Sequence, residues 1–281
     1  MSDIWTVLKV LNWTKGYLAE KGVENARLEA EWLLCAITGM DRVGLYVNFE
    51  KPLTDAELAA YRALVARRAK REPLQYLLGS QEFYGLDFLV SPAVLIPRHD
   101  TEVLVEEALR RAPATGSILD IGVGSGCIAV ALAKSLPDTD VRGVEKSSAA
   151  LAVAQQNIER HAVRVTLFEG SLFEPFVGQR FDLIVSNPPY IPTADLATLQ
   201  PEVREYEPIT ALDGGEDGLD YYRTIIPAAP EHLTPGGWLL VEIGIGQAEA
   251  VLGMFADAGF TDLFIAKDPS LIERVVGGSF S

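Results

Sequence analysis

Three short segments carry residue types that do chemistry. The first is Asp120-Ile121-Gly122-Val123-Gly124-Ser125-Gly126, which follows an apolar stretch and opens a helical one. Glycines there permit a tight turn and let main chain approach a ligand closely. The spacing excludes two familiar phosphate loops. A dinucleotide fingerprint needs a glycine where Cys127 stands, and no Gly-Lys-Ser/Thr follows. The second is Glu145, which ends the next apolar stretch, 21 residues after Gly124. An acidic side chain there accepts hydrogen bonds from both ribose hydroxyls of an adenosine-containing ligand. The third is Asn187-Pro188-Pro189-Tyr190, which cuts off the apolar run 181–186. Proline lacks an N–H and has a fixed φ, so the chain leaves its strand stiffly. The Asn187 side-chain carbonyl and the Pro188 main-chain carbonyl then offer two acceptors to one planar –NH2 group, and Tyr190 offers a ring face. Each segment alone also reads as plain structure: a turn without ligand, an exposed strand-end carboxylate, an Asn-Pro turn. Their order along the chain favours the chemical reading.

The surrounding pattern supplies elements to hold them. From Ser117 onward strand and helix alternate. The strands are expected at 117–121, 140–145, 163–169, 181–186 and 238–243, and the helices at 127–135, 149–161, 221–233 and 247–258. A further pair of strands, near 261–266 and 273–277, closes the chain. Such alternation predicts an α/β fold with a doubly wound, mostly parallel sheet, whose ligands bind beyond the carboxyl ends of the strands. Residues 1–75 read as helices instead. Ile4, Val7, Leu8 and Leu11 recur at helical spacing, Asn25 is placed to cap a second helix ending at Gly39, and Thr54 and Glu57 form a capping box. The basic run Arg67-Arg68-Ala69-Lys70-Arg71 reads as a solvated helix end that complements the dipole. Residues 76–97 form a linker with a hairpin turning at Gly85-Leu86. The division expected is therefore 1–75 helical, 76–97 linker and 98–281 catalytic.

Composition bounds the partners. The net charge is −15, with residues 1–75 near neutral at +1 and the remainder at −16. So acidic a chain grips phosphates poorly, which argues against direct nucleic-acid binding. No run approaches the ~20 apolar residues of a bilayer span, and the first residues lack an export signal. The two cysteines, Cys35 and Cys127, have no paired spacing, which fits a reducing cytoplasm rather than a disulfide or zinc framework. No interface signature stands out, so a monomer is expected.

Gly-x-Gly-x-Gly after a strand resembles the S-adenosylmethionine loop of class I methyltransferases. With the acidic strand end and Asn-Pro-Pro-Tyr, the order resembles those acting on planar –NH2 nitrogen: DNA adenine, RNA guanine and protein glutamine enzymes. A closer resemblance covers almost the whole length. The chain is similar to the HemK/PrmC family of peptide chain release factor glutamine methyltransferases through Ala26 to Leu34, Arg71 to Tyr76, Phe83-Tyr84-Gly85 and Val94 to Arg98. The similarity continues through Asn187 to Pro192, Tyr206-Glu207-Pro208, Ala211 to Leu219, Leu233 to Gly237 and Glu242-Ile243-Gly244.

That resemblance implies a small N-terminal helical domain for substrate recognition, a β-hairpin linker and a seven-stranded class I methyltransferase domain. It implies S-adenosylmethionine as cofactor, no metal, and the Gln of the Gly-Gly-Gln motif of class 1 release factors as substrate. By the same resemblance Gly122, Val123, Gly124, Ser125 and Gly126 cradle the cofactor, Glu145 binds its ribose and Leu172 lies beside its adenine. Asn187 and Pro188 accept from the substrate amide, Pro189 stiffens the turn and Tyr190 packs on the amide. Glu145 stands where the family carries Asp, Lys146 where an apolar residue is common, and Ser171 where Asp is expected. His99 and Asp100 replace Pro and Glu.

Overall fold

A computed structural model describes residues 4–281, and the chain forms two compact units. One unit runs to Gly79 and also takes Gln200–Tyr206; the other comprises Ser80–Leu199 and Glu207–Ser281.

The first unit is helical. It contains α1 (Val7–Glu20), α2 (Ala26–Thr38), α3 (Arg42–Val47), α4 (Asp55–Arg68) and α5 (Leu74–Leu78). The Thr6 hydroxyl accepts from the Lys9 amide to start α1, and Thr54 with Glu57 completes the expected capping box of α4. Asn25 begins α2 without a side-chain cap bond, so that expectation fails, while Gly39 ends α2 in the left-handed conformation as read. Leu18, Leu33, Leu34 and Tyr61 are fully buried at the centre. Each such side chain stabilises the unit by about 1.5–3 kcal/mol relative to exposure. The Tyr61 hydroxyl donates to the Ala30 carbonyl at 3.1 Å, which satisfies its buried polar end.

The basic run ending α4 is a solvated end only at Arg67 and Lys70; Arg68 and Arg71 turn inward. Arg68 is only 4% exposed and pairs with Glu29 and with Glu202, the latter at 2.9 Å. Arg71 forms a two-pronged pair with Glu202, each prong 2.6 Å. The Tyr206 hydroxyl donates to the Lys70 carbonyl at 2.7 Å. These contacts hold Gln200–Tyr206 within the helical unit. Sequence proximity could not reveal them, because the acidic partner lies 131 residues from Arg71.

The second unit begins with a hairpin, β1 (Ser80–Phe83) and β2 (Leu86–Leu89), whose register pairs Phe83 with Leu86. The turn is Tyr84-Gly85, one residue earlier than read. Both residues have positive φ, 52° and 70°, as a two-residue hairpin turn of matching twist requires. Next come α6 (Glu102–Arg111), β3 (Ser117–Ile121), α7 (Cys127–Ser135), β4 (Asp140–Glu145), α8 (Ser148–His161), β5 (Val165–Glu169) and β6 (Phe181–Ser186). The chain then gives α9 (Pro201–Tyr206) to the helical unit. It returns through α10 (Asp220–Ala228), β7 (Leu233–Glu242), α11 (Ala248–Asp257), β8 (Thr261–Lys267) and β9 (Glu273–Phe280).

The seven strands lie in the order β5-β4-β3-β6-β7-β9-β8. The first five are parallel, and β9 runs antiparallel between β7 and β8. Alternation within strands builds two cores. Ile118, Leu183 and Val185 face α6, α7 and α8; Leu119, Ile121 and Ile184 face α10 and α11. Helix α10 ends at Ala228, earlier than the expected 233, because Pro227 and Pro230 stop it in a short 3-10 turn.

Replacing Glu202 with Ala should leave Arg71 without its carboxylate and Arg68 with only one. Amide hydrogen exchange over 200–206 should then accelerate, with a loss of about 1–3 kcal/mol. Unchanged exchange there would contradict the anchoring role.

Candidate active site

Strands β3, β4 and β6 end side by side. Ile121 is level with Val144 on one side and Ser186 on the other. The Ser186 hydroxyl donates to the Ile121 carbonyl at 2.8 Å. Beyond these ends opens a cleft of about 650 Å3.

The glycine loop forms one wall. Gly122 and Val123 both donate their amides to the Val144 carbonyl, at 2.9 and 3.1 Å. Gly122, Gly124 and Gly126 have φ of 76°, 53° and 83°, where other residues are strained. A Cβ on Gly122 would meet nothing within 4 Å, so that backbone is bare. Beneath the loop, the Asp120 carboxyl accepts from the Ala129 amide at 3.1 Å and so caps the first turn of α7. Asn157, fully buried on α8, donates to the Ser125 carbonyl at 2.8 Å and exchanges bonds of 2.7 and 3.0 Å with Leu89 of the hairpin. Loop, helix and hairpin are thereby fastened together.

Glu145 stands at the end of β4 with both oxygens engaged. One accepts from the Gly124 amide at 3.1 Å and the other from the Ser147 amide at 2.9 Å. Each oxygen keeps a lone pair for a further donor. Leu172 reaches the wall from a left-handed backbone position, φ 51°, while the Ser171 amide beside it donates to Glu174 at 3.0 Å. Lys146 and Ser171 also line the cleft.

Asn187, Pro188 and Pro189 form the opposite wall. The Asn187 amide nitrogen donates to the Thr101 hydroxyl at 3.1 Å. Tyr190 and Gly126 are the two expected site residues that the structure does not bring to the cleft wall. Gly126 faces Ala154 on α8. The Tyr190 ring packs towards Gly244, and its hydroxyl lies 3.4 Å from Glu242. Burial and the Glu242 charge raise the Tyr190 pKa.

Several residues that support this geometry were not singled out from the sequence. Gln247 donates to the Tyr190 carbonyl at 2.9 Å and accepts from the Gly244 amide at 2.9 Å. Gly218 passes so close that a Cβ there would stand 2.3 Å from the Tyr190 carbonyl oxygen. Glu207 accepts from the Ile96 amide at 3.1 Å and pairs with Arg98, joining the Ile-Pro-Arg and Tyr-Glu-Pro segments at the rim. Gly218 and Glu207 give a signal only through the resemblance, since Tyr190, Ile96 and Arg98 are distant in sequence; Gln247 gives none.

Two carboxyls sit wholly buried behind the walls. Burial raises the pKa of Asp120 to about 7, opposed by the Ala129 amide. Burial likewise raises Glu242 to about 7, opposed by the Thr101 hydroxyl and the Arg274 charge.

This strand order, with a glycine-rich loop after β3 and an acidic residue ending β4, defines a class I S-adenosylmethionine-dependent methyltransferase fold. A methyltransferase from Pyrococcus furiosus is similar in fold, with a TM-score of 0.54 at 20% identity over 70% of this chain and 89% of that one. Two family models match, the PrmC N-terminal domain over residues 9–79 and the methyltransferase small domain over residues 99–200. The chain is 75% identical to the release factor glutamine methyltransferase of Geobacter sulfurreducens over 98% of its length and 97% of that protein's. It is 42% identical to that of Chlorobaculum tepidum, over 96% of each. The chain belongs to the release factor glutamine methyltransferase family and is a methyltransferase. Among its described residues no helix is long and apolar enough to cross a membrane.

The raised carboxyls set a pH dependence. Below the ordinary carboxylate pKa, native and unfolded chains both hold these protons. Between that pKa and about 7 only the native chain does, so their contribution to stability is lost as pH rises through that window. The melting temperature of Asp120→Asn should therefore fall less than that of the unaltered protein between about pH 5 and pH 8. Parallel curves would rule out a raised Asp120.

Proposed function

We propose that this protein transfers a methyl group from S-adenosylmethionine to the side-chain amide nitrogen of the glutamine in the Gly-Gly-Gln motif of class 1 peptide chain release factors, and so modulates translation termination. The observation that carries this reading is the placement of Asn187 and Pro188 across one cleft from the glycine loop and Glu145. Membership of the family supports a release factor as the substrate.

The residues present fit the cofactor. The bare backbone of Gly122 and Gly124 suits its methionine and ribose portions, with Val123 and Ser125 also on the cleft wall and Gly126 shaping the turn. Glu145 retains lone pairs for a ribose diol. Leu172 offers an apolar surface to the adenine, and Ser171 beside it offers a hydroxyl in place of a carboxylate.

When bound, S-adenosylmethionine supplies a methyl already activated by its sulfonium. The protein's part is to hold the nucleophile. The Asn187 carbonyl and the Pro188 main-chain carbonyl accept from the two hydrogens of the glutamine –NH2. This favours rehybridisation of the nitrogen and aims its lone pair in line with the departing sulfur. Pro188 and Pro189 keep that pair of acceptors stiff. Tyr190, with its hydroxyl directed at Glu242, buttresses the turn that presents the two acceptors. The excess proton leaves to solvent after transfer, so no strong base is required.

Residues 1–75 are the substrate-recognition domain in this reading, 76–97 the linker and 98–281 the catalytic domain. Trp13, Val43 and Val47 of the helical unit are 53%, 69% and 73% exposed, which suits a protein partner. The acidic remainder suits a factor with basic surface. The protein acts as a cytoplasmic monomer, without direct nucleic-acid contact.

The test is methyl transfer from labelled S-adenosylmethionine to a purified class 1 release factor, beside a factor whose Gly-Gly-Gln glutamine is replaced. Label on the first alone is expected. Asn187→Ala should bind the cofactor within about 3-fold of normal and lose about 100-fold or more in kcat. Label on neither factor, or label shifted to nucleic acid, would overturn the reading.

A further inference from the structure

Of the two acceptors assigned to the substrate amide, Asn187 offers a side chain and Pro188 a main-chain carbonyl. A main-chain carbonyl has no rotamer of its own. Its direction is set by whatever holds the chain on either side. Upstream, Ser186 is locked in the sheet. It lies level with Ile121 of β3 and Val241 of β7, and its hydroxyl donates to the Ile121 carbonyl at 2.8 Å. Between that point and Tyr190 stand Asn187, Pro188 and Pro189. The prolines fix two φ angles and have no N–H by which a neighbour could hold them. The Pro188 carbonyl therefore depends for its direction on the downstream end.

That end is held at three successive polar groups. The Tyr190 carbonyl accepts from Gln247 Nε2 at 2.9 Å. The Ile191 amide donates to the Leu212 carbonyl at 3.0 Å, and the Ile191 carbonyl accepts from the Gly214 amide at 2.9 Å. The bond nearest Pro188 is the one made by a side chain. Gln247 is itself fixed at the start of α11, where its amide donates to the Gly244 carbonyl at 3.2 Å and its carbonyl accepts from the Val251 amide at 3.0 Å. Its side-chain amide has no choice of orientation. Oε1 accepts from the Gly244 amide at 2.9 Å, and that amide can only donate. Nε2 meets the carbonyls of Tyr190 and, at 3.3 Å, Gly218, which can only accept. Turning the group over would set like against like at every one of these contacts.

We propose that Gln247 is a positioning residue for the methyl transfer: by holding the Tyr190 carbonyl it aims the Pro188 carbonyl at the substrate nitrogen. This rests on the reading of Pro188 as an acceptor for the substrate amide. Gln247 is not on the cleft wall, so it acts through the chain rather than on the substrate. It stands 57 positions from Tyr190 in sequence.

The experiment compares Gln247→Glu, Gln247→Ala, Asn187→Ala and Phe255→Leu. Phe255 is fully buried on α11 and is not on the cleft wall, so its variant controls for lost stability. Each is assayed for melting temperature, for kcat and KM on a purified class 1 release factor well below that temperature, and for S-adenosylmethionine affinity by calorimetry. Gln247→Glu keeps the volume and the bond from Gly244 but turns an acceptor on two carbonyls. It should lower kcat about 10–100-fold, since a misplacement of about 1 Å at the reacting groups costs on the order of 100-fold. Gln247→Ala leaves the Tyr190 carbonyl to water and should lower kcat about 3–10-fold. In both, KM for the factor and the cofactor Kd should stay within about 3-fold of normal. A residue that merely filled space would give the reverse order, with Glu near normal and Ala worse. Phe255→Leu should melt lower yet keep kcat within about 3-fold. If Gln247→Glu does not fold, Gln247→Ala beside Phe255→Leu decides on the same readouts.

A normal kcat in Gln247→Glu, an Ala variant slower than the Glu variant, a loss carried by KM or by cofactor affinity, or an equal loss of kcat in Phe255→Leu would overturn the proposal. A slow Asn187→Ala beside a normal Gln247→Glu would overturn positioning while leaving the acceptor reading intact. An active Asn187→Ala would overturn both.

Discussion

The bond from the Ser186 hydroxyl to the Ile121 carbonyl ties the ends of two central strands level with one another. Both chains must leave the sheet at that point, and they leave in opposite ways. After Ile121 the glycines let the chain turn tightly and expose its backbone. After Ser186 the prolines carry it straight and stiff. The cleft is the space between those two exits. A slip of one residue in the β3–β6 register would invert the faces of Ile118 and Leu183 and misplace both exits together. The two cores therefore fix the active-site geometry as much as they fix stability.

The loop is held by the protein's own groups. Val144, Asn157 and Glu145 each engage main-chain groups of the loop, and Asp120 reaches past it to the start of α7. Bonds of this kind preorganise a loop, and preorganisation favours affinity. It has a cost in buried charge. Asp120 and Glu242 both lie in surroundings that favour their neutral forms. Each retains an oxygen without a hydrogen-bond partner among the described residues.

Much of this was legible in the sequence. Five strands, from β3 to β7, are announced by apolar runs, and the loop and the Asn-Pro-Pro-Tyr turn interrupt them at their carboxyl ends. Those are local signals, fixed by residue type and short spacing. What was hidden depends on distant partners. Arg68 read as solvated because Glu202 is far along the chain. Tyr190 read as a wall residue because spacing along an extended turn says nothing of where the ring finds room. Its place beside Gly244 is set by the end of β7 and by Gln247. The hairpin turn was displaced by one residue because Tyr84 adopts a left-handed conformation that its residue type does not favour.

The helical unit is not a continuous piece of chain. Its ion-pair cluster takes Arg68 and Arg71 from one stretch and Glu202 from another, and the intervening residues build most of a second fold. A gene fragment encoding only the first stretch would leave those two arginines short of a carboxylate. A methyltransferase receiving this helical unit by recombination would have to bring a matching insertion between its fourth and fifth parallel strands. The two units are thus bound to a common inheritance, and their partnership is harder to exchange than a simple N-terminal fusion.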